Sequence, residues 1–175
     1  VADVSSQQLA DMMVGREVSF KTDKKAANPQ EVVLSVENIV VKENRGIEAV
    51  KNLSLEVRAG EILGIAGIDG NGQSELIQAL TGLRKVESGH IYLGGDEITN
   101  LRPRKITEAG VGHVPEDRHK YGLILEMTLA ENIALQTYYQ EPMSQMGVLN
   151  YGEINDHARD LIKEFDVRTV SEVVP

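Results

Sequence analysis

The sequence contains no cysteine, no tryptophan and only two phenylalanines among its 175 residues. Without cysteine the chain forms no disulfide and offers no thiolate to a metal ion, and it suits a reducing compartment. Aromatic residues make up 4% of the chain, so its core must be built from Val, Ile, Leu and Ala. The remaining composition, 41% hydrophobic and 26% charged, is that of an ordinary globular protein.

Long apolar runs, a signal sequence and excess positive charge are also absent from the sequence. No run approaches the roughly 18 to 20 apolar residues that a membrane span requires. The N-terminus lacks the basic segment and hydrophobic stretch of a signal peptide. The formal net charge of -9 argues against unassisted binding to nucleic acid or to an anionic membrane. Because the chain begins at Val1, we expect an excised part of a longer protein, with a processed mature N-terminus as the alternative.

The first thirty residues predict a short helix followed by a linker. Leu9, Met12 and Met13 follow Ser5 at helical spacing, and Gly15 is suited to end the helix. Residues 21–31 have no apolar period and contain a proline, which is typical of a linker. A helix separated in this way from the rest of the chain suggests the tail of a preceding domain.

From residue 31 onward the pattern predicts an α/β domain, with antiparallel strands before a parallel sheet. The predicted strands are residues 32–41 and 47–57, followed by 61–66 and 111–114 as buried parallel strands. The predicted helices are residues 74–83, 103–110 and 153–165, the last with Phe165 facing inward. A hairpin with a glycine turn is predicted at residues 89–98, and a capping box at Thr128 and Glu131.

A glycine-rich loop lies between the predicted strand at 61–66 and the helix after it. It matches G-x-x-G-x-G-K-[ST], a phosphate-binding pattern, at every position but the lysine: Gly67, Ile68, Asp69, Gly70, Asn71, Gly72, Gln73, Ser74. Glycines let such a loop wrap round a phosphate with its N–H groups turned inward, and the helix directs its positive end to the same point. The Ser74 hydroxyl is placed to bind Mg²⁺. The alternative is a glycine-rich turn without a ligand.

The loop has the shape of a phosphate site without its charge. Gln73 replaces the lysine and can donate hydrogen bonds but brings no charge, while Asp69 and Glu75 add negative charge nearby. At an effective dielectric near 20, a unit charge about 4 Å away contributes on the order of 4 kcal/mol before screening. A fraction of that would weaken nucleotide binding tenfold or more.

Four stretches together resemble the ATP-binding-cassette (ABC) ATPases, in particular the second cassette of tandem ATPases that serve sugar and nucleoside importers. They are residues 50–62, the loop at 67–75, residues 80–83 with 88–91, and residues 112–118 with 122–123. Second cassettes of this group lack the lysine and carry Glu after the hydroxyl residue, as Glu75 does here. The last stretch resembles the family's Q-loop, with Glu116 in place of the glutamine that touches Mg²⁺ and the attacking water.

The resemblance implies a P-loop NTPase fold of ABC type in partial form. It would comprise an antiparallel β subdomain and the start of the parallel-sheet core and of the helical subdomain. Residues 1–20 would be the tail helix of a preceding cassette, 21–30 a linker, and 31–175 the N-terminal part of a second cassette. The family's signature motif, Walker B aspartate and switch histidine are not in the sequence. Between residues 31 and 60 there is no aromatic residue to stack on adenine; residues 42–45 occupy that region.

The function implied is that of an ATP-binding subunit of an importer for sugars or nucleosides, with a non-hydrolysing site. ATP would be held weakly by Gly67, Ile68, Asp69, Gly70, Asn71, Gly72, Gln73, Ser74 and Glu75, and Mg²⁺ by Ser74 and Glu116. No catalytic residue is assigned, and this chain alone is predicted not to hydrolyse ATP. Partners would be the first cassette of the same chain, the permease subunits and, indirectly, a solute-binding protein, at the cytoplasmic face of the membrane. Two alternatives remain open: an ABC ATPase outside transport, and an interaction domain that no longer binds nucleotide.

Other candidate residues carry weaker signals. The four histidines occur singly, without metal-site spacing, and His90 and His113 are predicted to pack near the core. Residues 123–126 are interpreted as the apolar exit of the Q-loop. Tyr138, Tyr139 and nearby methionines are either a loop of the helical subdomain or an apolar contact for the membrane subunit.

Overall fold

The computed structural model describes residues 5–15, 26–68 and 70–174. The first element is the predicted N-terminal helix, α1 (Ser6–Val14). Ser5 and Gln8 form a capping box at its start, and Gly15 ends it in the left-handed conformation at φ +74°, which confirms the predicted stop. Of the predicted linker, residues 21–25 lie outside the described ranges, and residues 26–30 are exposed and have no regular structure.

A four-stranded antiparallel sheet follows, with the order β2-β1-β3-β4. Its strands are β1 (Val32–Lys42), β2 (Glu48–Arg58), β3 (Val86–Leu93) and β4 (Asp96–Glu97). Gly94 and Gly95, at φ +59° and +93°, form the turn between β3 and β4, as the sequence predicted. At Gly89 a Cβ atom would overlap the carbonyl oxygens of Glu37 and Asn38, so the close approach of β3 to β1 requires glycine there.

Two helices complete the first hydrophobic cluster beside this sheet. They are α2 (Gln73–Leu80) and α3 (Pro103–Glu108), which begins with a proline in its first turn as predicted. The buried members of the cluster are Val36, Ile39, Val41, Val50, Leu76, Ala79, Val86, Ile91, Ile98 and Ile106. Gly82 lies against the Leu101 carbonyl and the Ile106 side chain, where a Cβ atom would meet them at 2.6 and 2.8 Å. That contact brings the end of α2 against the start of α3.

The rest of the chain forms a smaller unit with a hydrophobic cluster of its own. After the short connecting helix α4 (Arg118–Tyr121), its elements are α5 (Leu129–Ala134), β5 (Ser144–Gln145), β6 (Val148–Leu149) and α6 (Tyr151–Glu164). Its buried residues are Ala130, Ala134, Met143, Ile154 and Ala158. The predicted capping box is confirmed, since the Thr128 hydroxyl accepts from the Glu131 N–H and the Glu131 carboxylate accepts from the Thr128 N–H.

The two predicted parallel strands are absent. Residues 61–66 and 111–114 have no regular structure, and Ile62 and Val114 are 95% and 82% exposed. A strand exists only through hydrogen bonds to a neighbouring strand. Among the described residues no segment pairs with either stretch, so most of their apolar side chains remain exposed, while Val111 is half-buried against the first cluster. Residues 123–126 also lie outside any strand, in agreement with their interpretation as a loop.

Three predictions of inward-facing side chains were wrong. Phe165 is 70% exposed because it follows the last turn of α6 as its C-cap, beyond the buried stripe of Ile154 and Ala158. His90 lies on β3 but on the solvent face of the sheet, one residue out of phase with the buried Ile91. His113 is exposed because the strand expected to bury it does not form.

No helix in the described part of the chain is long and apolar enough to cross a membrane. The longest of these helices, α6, has 14 residues.

Candidate functional site

The last glycine of the loop, Gly72, lies at the start of α2 in close contact with the sheet. Gly72 is the N-cap of α2 at φ +92°, and Gly70 has φ +82°, so both adopt backbone conformations that favour glycine. A Cβ atom on Gly72 would overlap the Ala49 carbonyl oxygen of β2. The sheet therefore fixes the point at which the loop enters α2. Asp69 lies outside the described residues, and Ile68 is exposed.

The Gln73 side chain folds back over the first glycine of the loop. A Cβ atom on Gly67 would coincide with the Gln73 side-chain amide, so that amide occupies the space which Gly67 leaves open. Gln73 is the first residue of α2 and is half-buried. A neutral donor thus lies against the loop at the position where the phosphate-binding pattern has lysine.

Ser74 and Glu116, the two residues predicted to bind Mg²⁺, are in contact. The Ser74 hydroxyl donates a hydrogen bond to the Glu116 carboxylate, with Oγ and Oε1 3.1 Å apart. Both side chains are exposed. Two oxygen ligands at right angles on an octahedral Mg²⁺, each about 2.1 Å from the ion, lie about 3 Å apart. The spacing of these two oxygens therefore fits adjacent positions on one Mg²⁺ ion.

A cleft of about 510 Å³ opens between α2 and residues 113–121. Its lining is Gln73, Ser74, Ile77, Gln78, Leu83, His113, Val114, Pro115, Glu116 and Tyr121, and none of these is Lys or Arg. Of this set the sequence identified only Gln73, Ser74 and Glu116 as site residues. Ile77, Gln78 and Leu83 lie on or just after α2, whereas His113, Val114, Pro115 and Tyr121 carry no pattern that links them to the loop, because the fold brings them there from about 40 residues away.

The turn between β1 and β2, where the sequence lacks an aromatic residue, is held by Arg84. Its guanidinium donates to the Lys42 carbonyl at 2.9 Å, to Asn44 Oδ1 at 3.1 Å and to Gln78 Oε1 at 2.8 Å. This set of bonds joins the turn to the end of α2. No sequence pattern indicated this role for Arg84, since its partners lie six to 42 residues away.

The histidines do not form a metal site with acidic residues in the described part of the chain. No group of three or more His, Cys, Asp or Glu side chains there could hold a metal ion. His90 instead makes a surface contact with Glu97, with Nδ1 2.7 Å from Oε1. Hydrogen bonds to the Glu97 carboxylate lower its pKa, with the larger effect from His90 and the smaller from Thr99.

Known proteins resemble the chain over nearly its whole length. It is 63% identical over 174 residues to the nucleoside import ATP-binding protein NupA of Lactococcus lactis subsp. cremoris (strain MG1363). It is 60% identical over 172 residues to the guanosine import ATP-binding protein NupO of Bacillus subtilis (strain 168). These matches cover 99% and 98% of the chain but 34% of each relative, so the chain spans about a third of their length.

Solved structures resemble the fold. A nucleotide-free ATP-binding cassette from an ABC transporter superposes with a TM-score of 0.65 at 22% identity, over 81% of this chain and 57% of that one. The ABC-type P-loop fold in partial form is thereby confirmed. The ABC transporter family profile matches residues 50–174, which include the glycine loop, Ser74 and Glu116. The chain therefore belongs to the ABC transporter family, as one of its ATP-binding domains.

Proposed function

We propose that the chain is part of the ATP-binding subunit of an importer, with nucleosides as the favoured cargo and sugars as the other class. The support is the similarity to NupA and NupO, whose names assign them to nucleoside and guanosine import. The ABC family match over residues 50–174 gives the ATP-binding role. The cargo would be selected elsewhere in the transporter, by the permease and a solute-binding protein.

Within that subunit, residues 31–175 are proposed to be the N-terminal part of a second cassette. Residues 1–20, with α1, would be the tail helix of the preceding cassette, and residues 21–30 the linker. The first cassette of the same chain and the permease subunits would be direct partners, and the subunit would lie on the cytoplasmic face of the membrane. The length of the relatives, about three times that of this chain, leaves room for a further cassette.

The glycine loop is proposed to hold ATP with Mg²⁺. The main support is the 3.1 Å contact between Ser74 Oγ and Glu116 Oε1, which has the spacing of two ligands on one Mg²⁺ ion. The phosphates would lie against residues 67–75 at the N-terminal end of α2. Bound Mg²⁺ would neutralise phosphate charge there. Ser74 and Glu116 would hold it in place, and Gln73 would donate hydrogen bonds without charge.

The proposed site binds nucleotide weakly and does not hydrolyse it. The cleft beside Ser74 is lined by no lysine or arginine, while Glu116 lines it and Glu75 follows Ser74 on α2. Phosphate oxygens are held in comparable loops by a lysine ammonium in addition to backbone N–H groups. With that charge absent, the role of the site would be structural or regulatory, in contact with the other cassette.

A second candidate function is an interaction domain that no longer binds nucleotide. The specific observation in its favour is the Gln73 amide, which already fills the space over Gly67. An ABC ATPase outside transport is a third candidate, and the similarity to two importer proteins at 60% identity or more counts against it.

Calorimetric titration of the purified chain with ATP and Mg²⁺ tests the proposal. We expect weak binding by the unmodified chain and binding at least about tenfold tighter for Gln73→Lys, because the new ammonium attracts the phosphates. Gln145→Lys, which adds the same charge on exposed β5, is the matched control and should leave the affinity unchanged. If neither the chain nor Gln73→Lys binds ATP at millimolar concentration, the interaction-domain function is correct instead.

A further inference from the structure

The structure consists of two units, each with its own hydrophobic cluster. The sheet unit, residues 26–111, contains the first cluster, and the helical unit, residues 123–174, contains the second. Residues 112–122 connect them and include Glu116. The buried residues of the two clusters form separate sets. The apolar core therefore does not fix the orientation of one unit against the other.

Side chains of α3 make the hydrogen bonds between the units. Arg104 Nη2 donates to the Tyr138 hydroxyl at 3.4 Å, and the Tyr139 hydroxyl donates to Glu108 Oε1 at 3.0 Å. The Arg104 guanidinium also lies over the Tyr139 ring, 4.1 Å from its centroid. Among the described residues, every side-chain hydrogen bond from the sheet unit to the helical unit involves Arg104 or Glu108. We call Arg104, Glu108, Tyr138 and Tyr139 the tyrosine clasp.

The parts of the clasp support one another. The two tyrosine rings meet edge to face with centroids 5.6 Å apart. Tyr139 therefore packs against both Tyr138 and Arg104. A hydrogen bond from Lys105, 2.7 Å away, is the main cause of the lowered pKa of Glu108, and the Tyr139 hydroxyl lowers it further. Glu108 is therefore charged near neutral pH and accepts the hydrogen bond from Tyr139.

The surroundings of the clasp are open to water. Arg104, Glu108 and Tyr138 are exposed, and Tyr139 is half-buried. Nearby, a cavity of about 190 Å³ separates α3 from Gln136 of the helical unit. Interfaces that are small, polar and incompletely packed allow their two sides to move against each other.

From these contacts we propose that the tyrosine clasp sets the orientation of the helical unit against the sheet unit, and that its release lets the helical unit swing while both clusters stay folded. Residues 112–122 join the two units, so a swing moves Glu116 relative to Ser74. The clasp thereby controls the 3.1 Å contact between these two residues. The claim that the clasp sets this orientation does not rest on the proposed function; only its effect on Mg²⁺ binding does.

Distance measurements between spin labels test the clasp directly. The chain contains no cysteine, so labels attach only at introduced positions: Lys51→Cys on β2 and Lys163→Cys on α6, both exposed. Pulsed electron resonance without nucleotide then reports the distance distribution between the units. We expect Arg104→Ala and Tyr139→Leu to increase the population at altered distances about two- to fivefold, through loss of the cation–π contact. Tyr139→Phe keeps the ring under Arg104 but removes the hydrogen bond to Glu108, together with one that the hydroxyl accepts from Gln140, and should raise this population about twofold.

Tyr92→Phe is the matched control, because Tyr92 lies on the sheet unit away from the clasp. Its distance distribution should equal that of the unmodified chain. Amide hydrogen exchange on the same variants should show unchanged protection in α5 and α6. Unaltered distances in both Arg104→Ala and Tyr139→Leu would overturn the proposal. Loss of protection throughout α5 and α6 in Tyr139→Leu would also overturn it, since Tyr139 would then be part of the helical fold and not a clasp.

Discussion

The glycine loop contains a matched pair of positions that isolates the effect of close packing against the sheet. Gly70 and Gly72 both have positive φ, at +82° and +92°. A Cβ atom on Gly70 would meet nothing within 4 Å, whereas one on Gly72 would overlap the Ala49 carbonyl oxygen and reach its carbon at 3.0 Å. Alanine at either position suffers the same backbone strain, but only Gly72→Ala also forces α2 away from β2.

The structure gives the expected size of each effect. Placing alanine in a left-handed conformation costs about 1–2 kcal/mol, which is our expectation for Gly70→Ala. Gly72→Ala adds the cost of overpacking against rigid backbone, about 1–3 kcal/mol. We therefore expect Gly72→Ala to lower the free energy of unfolding by about 2–5 kcal/mol in total.

Urea unfolding followed by circular dichroism measures both variants against the unmodified chain. Gly64→Ala is a baseline, since Gly64 has ordinary φ and open space round its Cβ position. The midpoint of unfolding should fall in the order Gly64→Ala, Gly70→Ala, Gly72→Ala, with an unchanged denaturant slope. If Gly72→Ala unfolds at the same urea concentration as Gly70→Ala, the packing of the loop against Ala49 does not stabilise the fold and the reasoning fails.

Three further predictions concern stability. Thr128→Ala should lower the free energy of unfolding by about 1 kcal/mol through loss of the α5 cap, while Thr128→Ser should keep most of it; urea unfolding distinguishes them. Asn100→Ala should lower the free energy of unfolding by about 1–3 kcal/mol, because the Asn100 side chain donates to the Val86 carbonyl at 3.0 Å and accepts from the Val86 N–H at 2.8 Å. An unchanged thermal unfolding midpoint would contradict this. Two hydrogen bonds lower the pKa of Glu131 in the folded chain: the larger effect comes from the Thr128 N–H and the smaller from the Thr128 hydroxyl. The charged cap therefore stabilises the fold fully above the ordinary glutamate pKa, and this stabilisation is lost as the pH falls through the lowered pKa. The stability difference between the unmodified chain and Glu131→Gln, which still caps without titrating, should therefore shrink in acid.

Local elements were predictable because their signals lie within a few residues of each other. The antiparallel strands follow from β-branched content, the β3–β4 turn from Gly94 and Gly95, and the α5 cap from the spacing of Thr128 and Glu131. Each of these features forms through contacts with near neighbours in sequence or in a hairpin. Their physical cause is therefore visible in the sequence itself.

The failures involve contacts that no local pattern encodes. Apolar content at 61–66 and 111–114 indicates a need for burial, but a strand also requires a partner, and the described residues provide none. In the site, spacing identified the glycine loop, yet the Ser74–Glu116 contact joins residues 42 apart, and only the resemblance to a family brought Glu116 to attention. The clasp between Arg104 and Tyr139 has no sequence signal, because it depends on how two units meet.

The glycine loop, Glu116 and the tyrosine clasp follow one another through the structure. The loop keeps the glycines that its close approach to β2 requires, although Gln73 has replaced the charged residue. Ser74 and Glu116 remain in contact across the cleft, and the clasp determines how the unit beyond Glu116 is oriented. In our proposal such a site transmits movement between units, and nucleotide chemistry takes place elsewhere in the transporter.

ATP turnover by the purified chain with Mg²⁺ is the most direct test of this account. We predict no phosphate release above the background of a blank preparation, because the site lacks a lysine and no catalytic base is assigned to it. Ser74→Ala should leave that background unchanged. Measurable turnover that Ser74→Ala abolishes would contradict the account, since the glycine loop would then be a hydrolytic site.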